Sequence, residues 1–193
     1  VVAVELAKKQ QEISISEFFL KNRHLLGFDN PTRALMMVVK EAVDNSLDAC
    51  TDMKVLPEIK IELQQIEEDR FKVIVEDNGP GIVKQQIPNI FGKLLYGSKF
   101  HLLKQNRGSQ GIGISASVMY SQLTTGKPTK IYSRISPKKP SHYFELQIDT
   151  KKNEPRILKD QEINWNKEHG TKIELEIEGR YLKGKQGVDE YIK

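Results

Sequence analysis

The sequence predicts an α+β layer, a sheet with helices on one face, and three observations carry that prediction. Apolar residues recur at helical spacing through 31–53, alternating strand-like runs occupy 58–77 and 130–178, and a small-residue helical run after Gly111 separates the two. From the N-terminus, Ser14 or Ser16 can cap a short helix through "SEFFLKNRHLLG", which Gly27 ends. Pro31 suits the first residue of a long helix, "PTRALMMVVKEAVDNSLDACTDM", in which Leu35, Val39, Val43, Leu47 and Cys50 recur at three- and four-residue steps. "EIKIELQQI" and "FKVIVED", joined by the polar "EEDR", read as an antiparallel hairpin. "VKQQIPNIFGKLLY" reads as a short helix interrupted near Pro88, and "GSKFHLLKQNRGSQG" as a loop. "IGISASVMYSQLTT" is helical up to Gly126, and strands follow at "KIYSRIS", "HYFELQID" and "TKIELEIE", with Pro- and Lys-rich turns between them.

A length of 193 residues suits one well-buried domain. The balance of 30 basic against 26 acidic residues fits a polyanionic partner such as nucleotide or DNA without demanding one. Cys50, the single cysteine, cannot form an internal disulfide, and its place in an apolar helical pattern suggests a small buried hydrophobe in a reducing compartment. No apolar run approaches the length of a membrane span, and the start "VVAVELAKKQQE" lacks the order of a signal peptide, so the chain reads as soluble and intracellular. His24, His101, His142 and His169 are scattered without a second His or Cys at metal-site spacing, which sets a zinc site aside.

Three motifs carry chemistry. In "KEAVDNSLDA", Glu41, Asn45 and Asp48 share a helix face roughly opposite the Val39 and Val43 stripe. A solvated polar face is the ordinary reading, but a neutral oxygen donor beside a base is what magnesium-assisted attack on a phosphate requires. "VEDNGPGI" stops a strand on Asp77; Asn-Gly and Pro-Gly make a turn, and the turn serves a site in which the carboxylate accepts from an exocyclic amine such as that of adenine. Gly79 and Gly81 then let backbone approach a flat ring. "RGSQGIG", Arg107 to Gly113, opens a helix, and its glycine-lined N–H groups make an anion site for a phosphate. Its order is G-x-x-G-x-G, and no parallel βαβ unit precedes it, which disfavours a dinucleotide site. "GRYLKGKQ" nearly spells a P-loop but ends on Gln186, and it reads as a basic linker. "GKPTKIYSRISPKKP" could touch DNA phosphates, although Lys-rich turns are usually just solvated.

Together, Glu41-x-x-x-Asn45, Asp77-x-Gly79-x-Gly81, Gly108-x-x-Gly111-x-Gly113 and Gly170-Thr171 resemble the Bergerat or GHKL ATP-binding fold. That fold is shared by gyrase B subunits, mismatch-repair proteins, heat-shock chaperones and histidine kinases. It implies a two-layer α+β sandwich with a mixed, largely antiparallel sheet. The stretches "SISEFFLKNRHLLGFDNPTRAL", "IPNIFGKLLYGSKF", "RGSQGIGISASVMYSQLTTGKP" and "DTKKNEP" are similar, more closely, to the B subunits of archaeal-type DNA topoisomerase VI. The resemblance implies Glu41 as general base, Asn45 as Mg²⁺ ligand, Asp77 on the adenine amine, Gly79 and Gly81 beside the ring, and Thr171 supporting the pocket. It also implies a lid and phosphate loop from Ser98, Lys99, Gly108, Ser109, Gln110, Gly111, Ile112, Gly113, Ile114 and Ser115. The implied cofactors are ATP and Mg²⁺. The implied partners are the A subunit of topoisomerase VI in an A2B2 assembly, a second B subunit on ATP binding, and double-stranded DNA, in the cytoplasm at the nucleoid and with no membrane.

The same resemblance divides the chain into an N-terminal strap at 1–13, an ATP-binding domain at 14–180, and the start of a linker at 181–193. The family's transducer domain, with its phosphate-binding lysine, would begin where this chain stops. This chain by itself is therefore expected to bind ATP and hydrolyse it poorly. Two alternatives have distinct signatures. A histidine-kinase module would follow a paired-helix segment bearing its histidine, and a non-enzymatic assembly module would have lost part of the motif set.

Overall fold

In a computed structural model of the chain, residues 15–94, 113–184 and 187–193 are described. The first helix, α1, runs Ile15–Leu26, and Gly27 ends it with φ +84°. Asn30 caps α2, Pro31–Met53, by accepting the Arg33 N–H at 2.8 Å, and Pro31 occupies its first turn. The hairpin β1 (Ile59–Glu67) and β2 (Arg70–Asp77) follows as expected. Pro88 begins a helix rather than interrupting one: a 3₁₀ turn at Lys84–Gln86 leads into α3, Ile87–Gly92. Then come α4 (Gly113–Thr125), β3 (Thr129–Arg134) and β4 (Ser141–Asp149). β5 (Glu154–Ile163), β6 (Gly170–Glu178) and α5 (Val188–Ile192) complete the described elements.

Strand β5 replaces what the sequence reads as a turn. Among the described residues it pairs only with β4, at the sheet edge, and its largely exposed side chains need no apolar alternation. Pro155 is tolerated there because an edge strand leaves one side of its backbone unpaired. The six strands lie in the order β1-β2-β6-β3-β4-β5, and every pairing among the described residues is antiparallel. Insertion of β6 between β2 and β3 has a direct consequence for the site. It brings Thr171, beyond the Glu76↔Lys172 pair, next to Asp77 at the end of β2.

One sheet face is apolar. Phe71, Val73 and Val75 of β2, Ile173, Leu175 and Ile177 of β6, Ile131 of β3, and Phe144, Leu146 and Ile148 of β4 are buried against α2 and α4. The opposite face carries Lys72, Glu76, Lys130, Tyr132, Lys172 and Glu174, half-buried, with Lys172 Nζ 3.9 Å from the Tyr132 ring centroid. Phe19, Phe28 and Tyr120 join α1 to α4, with ring centroids 5.7 Å apart for Phe19–Phe28 and 5.1 Å for Phe28–Tyr120. Tyr120 reaches through the core to donate to the Glu178 carbonyl at 2.7 Å, and burial pushes its phenol up to about 12. Removing that hydroxyl leaves the carbonyl unpaired. Tyr120→Phe is therefore expected to lower unfolding stability by about 1 kcal/mol, read as a lower urea midpoint at unchanged slope.

Candidate functional site

The site forms where the end of β2, the start of β6 and the second half of α2 meet. Asp77 is only 5% exposed, and its carboxylate is held from three directions. Its Oδ1 accepts the N–H of Gly79 at 2.9 Å and of Thr171 at 3.1 Å, while its Oδ2 accepts the Ser46 hydroxyl at 2.8 Å. Thr171 thus reaches the site through its backbone, as the strand register dictates. An ionised carboxylate offers roughly four acceptor positions. The three filled here leave capacity on Oδ2 for one more donor. Burial is the largest influence on this carboxyl and holds it above the usual range; the three hydrogen bonds and the nearby Lys167 pull the other way.

The neighbouring Asn78 fastens the turn to α2. Its Oδ1 accepts the Glu58 N–H at 2.9 Å and the Cys50 thiol at 3.3 Å, and its amide donates to the Leu56 carbonyl at 3.0 Å. Cys50 is buried, and that burial pushes its thiol up, as expected of a packing residue. The two glycines of the turn differ in backbone conformation. Only Gly81 uses positive φ, at +69°, and the space its missing Cβ leaves is taken by the Arg134 carbonyl. That glycine is required by a contact inside the protein. Ser133 seals the same end of the sheet, accepting the Ile82 N–H at 2.7 Å.

The Glu41 face of α2 is not the solvated surface of an ordinary amphipathic helix. Glu41 is 2% exposed and Asp44 is also buried, whereas Asn45 is exposed. The cause is α4, which covers this side: Gly113, its first residue, lies so close to the Glu41 carboxylate that a Cβ there would overlap it. Asp44 is held by Lys40 Nζ at 2.6 Å and by the Tyr191 hydroxyl at 2.7 Å, so α5 docks beside the same helix. Ile114 lies in the core and Ser115 is buried, which leaves backbone N–H groups as what this helix start can offer an anion. Ser98, Lys99, Gly108, Ser109, Gln110, Gly111 and Ile112, and the strap at 1–13, lie outside the described residues.

Glu41 and Ser46 are five positions apart on α2, a rise of roughly 7–8 Å. One rigid helix therefore spaces a carboxylate at the start of α4 from the hydroxyl that holds Asp77. The exposed Asn45 side chain between them offers a hard, neutral oxygen, which fits Mg²⁺, an ion that keeps waters and substrate oxygens as most of its ligands. The sequence reading missed Ser46 and Asn78. Both stand inside the quoted motifs, but a partner 31 residues away for Ser46 is invisible to spacing.

A family model for the histidine kinase-, DNA gyrase B-, and HSP90-like ATPases matches residues 30–178. The chain belongs to this ATPase family. Within it, the chain is similar along its whole length to the B subunit of the type 2 DNA topoisomerase 6 of Methanococcoides burtonii, at 58% identity over 193 residues. Similarity to the same-named protein of Archaeoglobus fulgidus is 52% over 189 residues, or 97% of this chain. The chain spans 31% of the length of each of these relatives. The fold is also that of the ATPase region of Saccharomyces cerevisiae topoisomerase II, with a TM-score of 0.51 and 18% identity over 73% of this chain and 37% of that one. No helix among the described residues is long and apolar enough to cross a membrane.

In a GHKL-type ATPase a buried, ionised Asp77 is a cost to the fold. With its folded pKa raised, the native state keeps this proton to higher pH than the unfolded chain. The penalty is absent well below the unfolded value of about 3.9 and complete above the folded one. Asp77→Asn, which can keep the hydrogen bonds, is therefore expected to raise Tm at neutral pH, with the gain shrinking as pH falls through the carboxylate range. Thermal melts across that range check this; a lower Tm at neutral pH, or a gap that widens in acid, contradicts it.

Proposed function

We propose that this chain is the ATP-binding and ATP-hydrolysing region of a type II DNA topoisomerase B subunit of the topoisomerase VI kind. The observation that carries the reading is the Asp77 carboxylate, with Oδ1 saturated from the backbone and Oδ2 retaining acceptor capacity. A buried acceptor of that kind recognises an exocyclic amine and rejects a carbonyl in the same place, which distinguishes adenine from guanine. The names of relatives that match 97% or more of the chain favour this over a histidine-kinase module or a non-enzymatic one.

In this reading Asp77 Oδ2 accepts the adenine amine, and Gly79 and Gly81 shape the turn beside the ring. Glu41, held against the first residue of α4, takes a proton from the water that attacks the terminal phosphate. Its burial beside a helix N-terminus keeps the base oriented before the reaction begins. Asn45 holds Mg²⁺, which when bound neutralises phosphate charge. Ser98 and Lys99, with Gly108 to Ser115, receive the phosphates. In the whole protein, ATP binding joins two B subunits into a gate, coupled to passage of one duplex through another cut by the A subunit, in the cytoplasm at the nucleoid.

Calorimetry with a non-hydrolysable ATP analogue tests the nucleotide reading directly: saturable binding to this chain is expected, strengthened by magnesium, and no heat of binding in either condition refutes it. Glu41→Ala in the full-length protein, assembled with its A subunit, is expected to leave nucleotide affinity near normal while hydrolysis falls roughly 10²- to 10⁴-fold. Equal loss of binding and turnover would contradict a base at that position.

A further inference from the structure

Gly79 is anchored through the peptides on both sides of its Cα. Its N–H donates to Asp77 Oδ1 at 2.9 Å, and its carbonyl meets His169 Nδ1 at 2.8 Å. A carbonyl can only accept, so His169 carries a proton on Nδ1 in this contact. His169 begins a three-residue brace on the turn. Gly170, at φ +140°, backs onto the Asp77 carbonyl so closely that no Cβ fits, and Thr171 donates its N–H to Asp77 Oδ1 at 3.1 Å. The loop that delivers His169 is itself fastened. Arg134 donates to the carbonyls of Lys167 at 2.9 Å, Lys139 at 2.9 Å and Pro137 at 2.7 Å, and Lys167 Nζ pairs with Glu76 at 2.7 Å.

We propose that His169 is a positioning residue for base recognition: by holding the Gly79 carbonyl, it keeps the Gly79 N–H on Asp77 and the Asp77 carboxylate aimed at the base. The inference rests on the nucleotide reading above. Without the histidine bond the Gly79–Pro80 peptide is no longer fixed, and the glycine Cα, whose two torsions are softer than those of any other residue, is held on its N-terminal side only. A shift of that Cα carries the N–H of the preceding peptide away from Oδ1, and the carboxylate loses one of its backbone anchors. Groups that hold the triphosphate lie on other elements, so the loss falls on discrimination of the base. A residue that merely filled space would instead weaken all nucleotides together.

The test compares affinities of the parent, His169→Ala and His169→Asn for non-hydrolysable ATP and GTP analogues. Asn places an amide N–H near the Nδ1 position and is the conservative variant. His169→Ala is expected to weaken the ATP analogue by about fivefold to tenfold, the worth of one hydrogen bond, with the GTP analogue little changed, and His169→Asn to restore most of the discrimination. Unchanged ATP affinity in the alanine variant, or equal weakening of both nucleotides, overturns the proposal. Should the alanine variant fail to fold, His169→Asp decides against His169→Asn: it matches asparagine in size but, ionised, offers the carbonyl no donor. Equal discrimination by these two again overturns the assignment. A parent protein that binds neither analogue refutes the nucleotide reading itself, a result distinguishable from failure of the histidine alone.

Discussion

The site is organised around one carboxylate fixed in a place that resists charge. Asp77 stands at the end of a central strand, almost out of water, and burial works against its ionisation. An ionised group survives such a position only when its acceptor sites are filled by donors that are themselves fixed. Here the donors come from three parts of the chain far apart in sequence: the turn it opens, the long helix before it, and the last strand. Each is rigid for a separate reason. Gly79 is tethered on both sides, Ser46 stands on a capped helix, and Thr171 belongs to a strand flanked by β2 and β3.

That requirement explains the strand order. An antiparallel meander would place β3, rather than β6, beside β2. Bringing β6 between β2 and β3 puts a second backbone donor at the end of β2. It also brings Gly170 and Arg134 alongside the turn, where the Arg134 carbonyl fills the space that Gly81 leaves empty. The helix layer contributes spacing. Because α2 is long and continuous, Glu41, Asn45 and Ser46 keep fixed separations, so one rod sets the distance between the carboxylate at the start of α4 and the hydroxyl on Asp77.

Much of this was legible from residue order, and the exceptions have common causes. The long helix from Pro31 to Met53 and the hairpin ending at Asp77 followed from periodicity, because each buries one face against the same core. Strand β5 was not legible, since an edge strand exposed on most of its length shows no alternation. Pro88 was read as an interruption because proline breaks a helix interior, yet in the first turn of α3 its missing N–H costs nothing. The polar stripe of α2 is legible as more than a solvated face, but that α4 buries Glu41 while Asn45 stays exposed is a matter of how two helices pack. The glycines of the turn were legible as special, but not the reason for Gly81, which is a carbonyl some fifty residues away.

What the sequence alone determined was the inventory: a helix bearing Glu41 and Asn45, a strand halted at Asp77, a glycine-rich helix start, and a late Gly-Thr pair. These are local matters, governed by spacing and by which side chains can do which chemistry. Tertiary structure decided which of those groups touch. The Ser46 hydroxyl on Asp77, the His169 ring on Gly79 and the Glu41 carboxylate against Gly113 join segments 31, 90 and more than seventy positions apart. Contacts over such separations are set by strand order and helix packing, through which distant side chains come within hydrogen-bonding range, and no local pattern encodes them.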